Sequence, residues 1–329
     1  YKRQISRLDF STENVSDPGK NLPTTRTVLA AVSGGQSVYR GSKTYGYFGG
    51  GYIPFTGSIN TIQRIDFSNE TLSQPGKNLS LGRLNLAATS SSYYGYFAGA
   101  YCLIERLDFS NETVSAPGKD LPSARSNLAA TSSSSYGYFG GGYTPTPSTI
   151  NTITRLDFSS ETISAPGKNL PGTIRAASAV SNNLYGYFAG GYIPSGTYYN
   201  TISRLDFSNE TVSLPGKNLP TSRSNLAAVS NNSYGYFGGG FVPPFISYST
   251  ILRLDFLNET ISLPGKNLPT ARYALSATSS SFYGYFGGGN FPPAISTVSR
   301  LDFSSETTSD PGKNLINTIS DLTATSNSN

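Results

Sequence analysis

The chain has 329 residues, with 24 Lys and Arg, 19 Asp and Glu, no His, and a formal net charge of +5. Its single cysteine, Cys102, excludes an intrachain disulfide, and the lack of any apolar run of about 18 residues excludes a membrane-spanning helix. Without histidine there is neither a Ser-His-Asp triad nor a histidine-bound copper centre, and without methionine residue 1 is not expected to be the translation start.

In chain order the dominant signal is Arg-(Leu/Ile)-Asp-Phe, which begins at Arg7, Arg64, Arg106, Arg155, Arg204, Arg253 and Arg300. The spacings from Arg106 to Arg155, Arg204 and Arg253 are each 49 residues. A period of about 20–50 residues marks a solenoid, a propeller or an array, and solenoid turns are usually shorter than this. One unit serves for all. Leu226 to Ser230 is a run of small and apolar residues, and Tyr234 to Gly240 reads Tyr-Gly-Tyr-Phe-Gly-Gly-Gly. After a variable loop, Thr250 to Phe256 alternates at its end, with Leu254 and Phe256 on one face and Arg253 and Asp255 on the other. Asn258-Glu-Thr reads as a turn, Thr260 to Leu263 as a fourth strand, and the Pro-Gly-Lys-Asn-Leu-Pro segment from Pro264 as the link to the next unit.

Four short strands in about 49 residues match a propeller blade. Strands near a propeller axis have room only for small side chains. The small strand is therefore expected innermost, Tyr-Gly-Tyr-Phe second, Arg-x-Asp-Phe third and Thr-(Val/Ile)-Ser outermost. The expectation is an all-β, seven-bladed propeller of four-stranded antiparallel blades, one domain over residues 1–329, closed by pairing N- and C-terminal strands. Its third strands fall at 7–10, 64–67, 106–109, 155–158, 204–207, 253–256 and 300–303. Tyr-Gly-Tyr-Phe, however, occurs six times, starting at Tyr45, Tyr94, Tyr136, Tyr185, Tyr234 and Tyr283, so one of seven blades would lack its second strand.

The unit resembles a kelch repeat. Phe237-Gly238-Gly239 stands for the kelch Gly-Gly doublet, Leu254-Asp255-Phe256 for its third strand, and Pro220-Thr-Ser-Arg223 for Pro-x-x-Arg. The resemblance runs through all seven units and implies a propeller; it departs at the kelch tryptophan, where Val212 and Ile261 stand.

The positive charge is dispersed. Seven arginines belong to Arg-x-Asp-Phe, seven lysines to Pro-Gly-Lys, and six arginines (Arg26, Arg83, Arg125, Arg175, Arg223, Arg272) follow the Asn-Leu-Pro segment, leaving Lys2, Arg3, Arg40 and Lys43. Such a spread makes no basic stripe, so no nucleic-acid partner is expected. Sevenfold repetition marks architecture rather than one active site. Arg7, Asp9, Arg64, Asp66, Arg106, Asp108, Arg155, Asp157, Arg204, Asp206, Arg253, Asp255, Arg300 and Asp302 are therefore read as scaffold, forming Arg–Asp or Arg–Glu pairs between blades. The turn glutamates, such as Glu70, Glu112, Glu210 and Glu259, are read the same way. Asn69, Asn111, Asn209 and Asn258 begin Asn-Glu-Thr sequons, possible glycosylation sites whose Asn is also a favoured turn residue. Glu105 and Asp321 are carboxylates off the repeat; no catalytic residue, metal ligand or cofactor is assigned, and no enzyme activity is expected.

Function is expected where the units differ. The loops between second and third strands vary in length and carry Tyr52, Phe55, Tyr143, Tyr192, Tyr198, Tyr199, Phe241, Phe245, Tyr248 and Phe291. They should emerge on one face and form a binding surface, since exposed Tyr and Phe supply contact area at low entropy cost. The competing structural role is stiffening over the central channel. An insertion at 34–44, with Arg40 and Lys43, is expected on the opposite face. The reading is a non-enzymatic recognition or structural propeller, an adhesion, virion or fibre component at an extracellular or virion surface, in a larger assembly. Its partner is a protein or a surface glycan, without membrane insertion; a lectin-like carbohydrate-binding propeller is the alternative.

Overall fold

The computed structural model describes the strands Arg7–Asp9 and Asn14–Ser16 and residues 45–326, apart from Pro147, Phe245, Phe291 and Pro292. Two compact units divide the chain, Tyr1–Gly41 and Ser42–Asn329. In the first, Arg7–Asp9 pairs antiparallel with Asn14–Ser16, Arg7 opposite Ser16.

The second unit is an all-β propeller of six four-stranded antiparallel blades, with no helix among the described residues. The blade order is the one that side-chain size imposes. In the second blade Ala87–Ser90 is innermost, followed by Tyr94–Ala98, Ile104–Asp108 and, at the rim, Val114–Ser115. The third to sixth blades repeat this with inner strands Ala129–Ser132, Ser178–Ser181, Ala227–Ser230 and Ser276–Ser279. The first blade is assembled from both ends of the unit: Thr323–Ser326 pairs with Tyr45–Gly49, then come Ile62–Asp66 and Leu72–Ser73.

The expected seven blades are thus corrected to six. A blade needs an inner and a second strand as well as a third, and there are six Tyr-Gly-Tyr-Phe strands. The chain supplies five inner strands on its way round, and Thr323–Ser326 supplies the sixth, which closes the ring and hides both sheet edges. The Arg-x-Asp-Phe copy at Arg7–Asp9 is paired within the other unit.

Blades pack by one contact set repeated six times. In the second strand, a Cβ on Gly95 would lie 2.7 Å from Thr325 Cγ2 of the first blade's inner strand, so glycine is what lets the blades meet. Beside it, the ring of Tyr96 stacks on Phe158 of the next blade at 5.4 Å, and its hydroxyl donates to Glu161 at 3.0 Å. Arg106 pairs with the same carboxylate at 2.9 Å. Equivalent pairs are Arg64–Glu112, Arg155–Glu210, Arg204–Glu259, Arg253–Glu306 and, across the closing joint, Arg300–Glu70. Each glutamate sits at the turn after the third strand with φ between 53° and 58°, which swings its side chain toward the preceding blade.

The aspartates do something else. Asp206 Oδ1 accepts from the Ser208 amide at 2.9 Å and hydroxyl at 2.6 Å, and Asp66, Asp108, Asp157 and Asp302 hold their own turns through the equivalent serines. In the fifth blade Leu257 replaces that serine, and Asp255 accepts from its amide at 2.8 Å. The arginines face glutamates of the next blade and the aspartates face local turns. For Arg7 and Asp9 the side chains lie outside the described residues.

Candidate functional site

A single ring of backbone surrounds the axis at one mouth of the channel. Asn85, Asn127, Ala176, Asn225, Ala274 and Asp321 precede the six inner strands, all with φ between 53° and 56°. Each amide donates to the carbonyl of the residue before it in the ring, as in Asn127 to Asn85 at 2.9 Å, and Asn85 closes the circle on Asp321 at 2.9 Å. The mouth cavity is about 70 Å³ and continues into a channel lined by alanines and then by Ser and Thr of the inner strands. Asp321 stands where three other blades have asparagine. Burial raises its carboxyl above the ordinary aspartate range, partly offset by the Ser320 hydroxyl that donates to it at 2.8 Å.

Around this mouth lie the second-to-third-strand loops. Short hairpins build three of them: Tyr52–Ile53 with Gly57–Ser58, Tyr143–Thr144 with Ser148–Thr149, and Phe241–Val242 with Ile246–Ser247. Bridges such as Ser126 to Tyr143 and Ser224 to Phe241 tie the loop bases to the segments entering the inner strands. The aromatic residues divide into two groups. Tyr143, Tyr192, Tyr198, Tyr199, Phe241 and Tyr248 are half-buried, because most of them pack on one another. Tyr192 stacks on Tyr198 at 4.9 Å, Tyr198 meets Phe241 edge-on at 6.4 Å, and Phe241 leans on Tyr273 at 5.0 Å. Tyr52 and Phe55 of the first blade's loop are exposed, Phe55 completely and at φ 66°, and so are Tyr101 of the second blade and Ile246 of the fifth. Phe245 and Phe291 lie outside the described residues, as does the insertion with Arg40 and Lys43.

Sequence reasoning missed the part played by the arginines that follow Asn-Leu-Pro. Arg125 drives its guanidinium into the third blade, donating to the carbonyls of Phe139 and Gly141 and the hydroxyls of Thr152 and Thr154 at 2.6–3.4 Å. Arg272 uses Phe286, Thr297 and Ser299 in the same way, and Arg223 uses Gly239 and Thr250 with its guanidinium 4.1 Å from the Tyr248 ring centre. Burial pulls these three arginines down to about 10, partly offset at Arg272 by Asp310 and at Arg223 by Tyr248. Arg83 is lowered too, by burial partly offset by its ion pair with Glu105, the off-repeat acid. Arg175 breaks the series. Ile174 takes the buried place and Arg175 falls one residue later, where its guanidinium lies between Tyr143 at 4.6 Å and Tyr192 at 4.4 Å. The signal was present as Ile-Arg in place of Arg-Ser, a one-residue slip that a motif count absorbs.

The sequon asparagines are engaged in their turns: Asn69, Asn111, Asn209 and Asn258 each accept from the amide and hydroxyl of the threonine two residues on. No group of three or more metal-ligating side chains occurs among the described residues, and no described helix is long and apolar enough to cross a membrane. No protein-family model and no curated protein matches the chain.

Proposed function

We propose that this protein is a non-enzymatic recognition propeller that binds a protein partner through its second-to-third-strand loop face, as an adhesion, virion or fibre component. One observation carries the reading: the packed contacts between blades repeat sixfold, whereas the loop face differs from blade to blade. A surface meant merely to close a channel has no need of six different loops. Exposed Tyr52 and Phe55, with Tyr101 and Ile246, supply apolar contact area that the fold itself does not use. Phe55 also holds a left-handed backbone, a conformation that costs energy for a bulky side chain and is commonest where structure serves function. The packed set, Tyr143, Arg175, Tyr192, Tyr198 and Phe241, stiffens the platform beneath.

The test is binding of the immobilised propeller to cell or particle surfaces of its native source, before and after protease treatment, alongside a glycan array. The expected result is protease-sensitive binding that falls at least tenfold in a Tyr52→Ala/Phe55→Ala variant of unchanged melting temperature. Protease-resistant binding with a saccharide hit on the array would assign the face to carbohydrate instead. Binding unchanged in the variant would remove this face from consideration.

A further inference from the structure

The slip that moves Arg175 outward leaves a space behind. A cavity of about 210 Å³ lies beside Ile174, lined by Leu170, Pro171, Phe188, Tyr199, Thr201 and Ser203 among others. Backbone register shows what this space is. A Cβ on Gly142 or Gly240 would meet Cδ of Arg125 or Arg223, and on Gly191 the equivalent contact is with Cγ1 of Ile174. Ile174 therefore replaces the arginine stem, and nothing replaces the guanidinium.

The fittings for that guanidinium are still in place. Phe188, Thr201 and Ser203 stand where Phe286, Thr297 and Ser299 accept from Arg272, and where Phe139, Thr152 and Thr154 accept from Arg125. Tyr199 stands where Tyr248 lies against the guanidinium of Arg223. The hydroxyls of Thr201 and Ser203 have no hydrogen-bond partner among the described residues. The first blade, which also has isoleucine at this place (Ile319), shows the contrast: there Gln63 is buried and accepts from the Ile316 amide, at the position that Ser203 holds in the fourth blade.

We propose that this vacated slot binds a guanidinium group, the side chain of an arginine presented by a partner chain. Arg125 of the third blade and Arg223 of the fifth show that neutral acceptors, joined in the fifth by a tyrosine face, suffice to hold a buried guanidinium in this fold without a carboxylate. The cavity is also smaller than the roughly 300–1,000 Å³ of drug-sized sites, which suits a single side chain. A planar fork matches acceptors spread over two strands better than an ammonium does. The slot stands apart from the loop-face reading, since none of the exposed loop residues Tyr52, Phe55, Tyr101 or Ile246 lines it.

The experiment titrates the protein with propylguanidinium, propylammonium and 1-butanol, and with the peptides acetyl-Gly-Arg-Gly-amide and acetyl-Gly-Lys-Gly-amide. The readout is the NMR shift of Ile174, Thr201 and Ser203. Saturable binding of propylguanidinium and of the Arg peptide, each at least tenfold tighter than its ammonium counterpart, is expected. Tyr199→Leu should weaken it about threefold or more. Ile174→Arg should refill the slot and abolish binding, and Ser203→Gln, which copies the buried Gln63 of the first blade, serves if that variant fails to fold. Equal binding of butanol would mean an apolar hole and overturn the proposal. Binding of propylguanidinium with exclusion of the Arg peptide would overturn the partner-chain source, and binding that survives both slot variants would overturn the site.

Discussion

Arg300 of the sixth blade pairs with Glu70 of the first at 2.8 Å, joining residues 230 positions apart. The Tyr285 hydroxyl donates to the same oxygen at 3.0 Å, and Phe67 stacks on the Tyr285 ring at 5.2 Å. The closing joint thus carries the same contacts as the five joints made by consecutive blades, which is why the ring ends at six. Glu70→Ala leaves a partly exposed guanidinium and a buried phenol without their acceptor. Denaturant unfolding should show a loss of about 1–3 kcal/mol, held down by the solvent that reaches Arg300. A loss below about 0.5 kcal/mol would mean that solvent screens the whole ladder.

Asp206 should matter less than the glutamate that faces its neighbour Arg204. Asp206→Ala loses turn hydrogen bonds at an exposed site and should cost about 1 kcal/mol or less, whereas Glu259→Ala should cost more. Hydrogen bonds from Ser208 hold the Asp206 carboxyl below the usual range. Its contribution is present above the unfolded value near 3.9 and fades as pH falls through the folded one, so the two proteins should converge in acid. A difference that persists unchanged in acid would contradict this.

Asp321 has the opposite sign. Burial raises its folded pKa, so the folded state holds its proton more tightly than the unfolded chain, and stability falls as pH rises above about 4. Asp321→Asn copies Asn85, Asn127 and Asn225 of the same ring and keeps a residue that tolerates the left-handed backbone. Its melting temperature should exceed wild type by about 2 °C or more at pH 7 and match it near pH 3. A variant less stable at pH 7 would show that the carboxylate is needed at the channel mouth.

Arg175→Ala should lower stability by about 1–2 kcal/mol, because two cation–π contacts are lost from a half-buried site. Tyr198→Ala should also destabilise the loop platform, while Tyr52→Ala and Phe55→Ala should not. Thermal melts of the four variants decide this; equal effects would mean that no division exists between stiffening and exposed aromatics.

Deleting residues 320–329 removes the inner strand of the first blade and Asp321 from the backbone ring. The melting temperature should drop by about 10 °C or more, as a sheet edge and one interface open at once. An unchanged melt would mean that another segment fills the edge of Tyr45–Gly49.

What the sequence determined alone was the four-strand repeat unit and the order of its strands. Side-chain size ordered the strands, because the strand nearest the axis has room for little beyond Ala, Ser, Thr and Val, and alternation of Leu and Phe with Arg and Asp defined the third strand. The glycine of Tyr-Gly-Tyr-Phe already announced a close neighbour, which is the inner strand of the adjoining blade. Tertiary structure decided what depends on which copies meet. Arg-x-Asp-Phe counts seven times, but the ring takes six, because a blade also needs an inner and a second strand. Arg204 faces Glu259 rather than an aspartate, since the left-handed turn aims the glutamate across the joint while Asp206 is spent on its own turn. The loop aromatics Tyr192, Tyr198 and Phe241 looked like free contact area and prove to hold one another. Tyr192 and Tyr198 meet within one loop, but Phe241 and Tyr273, which extend the cluster, belong to later segments of the chain, and no local pattern records that. Ile174 shows the limit most plainly. One residue of slip is invisible in composition and nearly so in a motif, yet it places Arg175 between two tyrosines and opens a cavity, because a packed interior registers the position of every side chain.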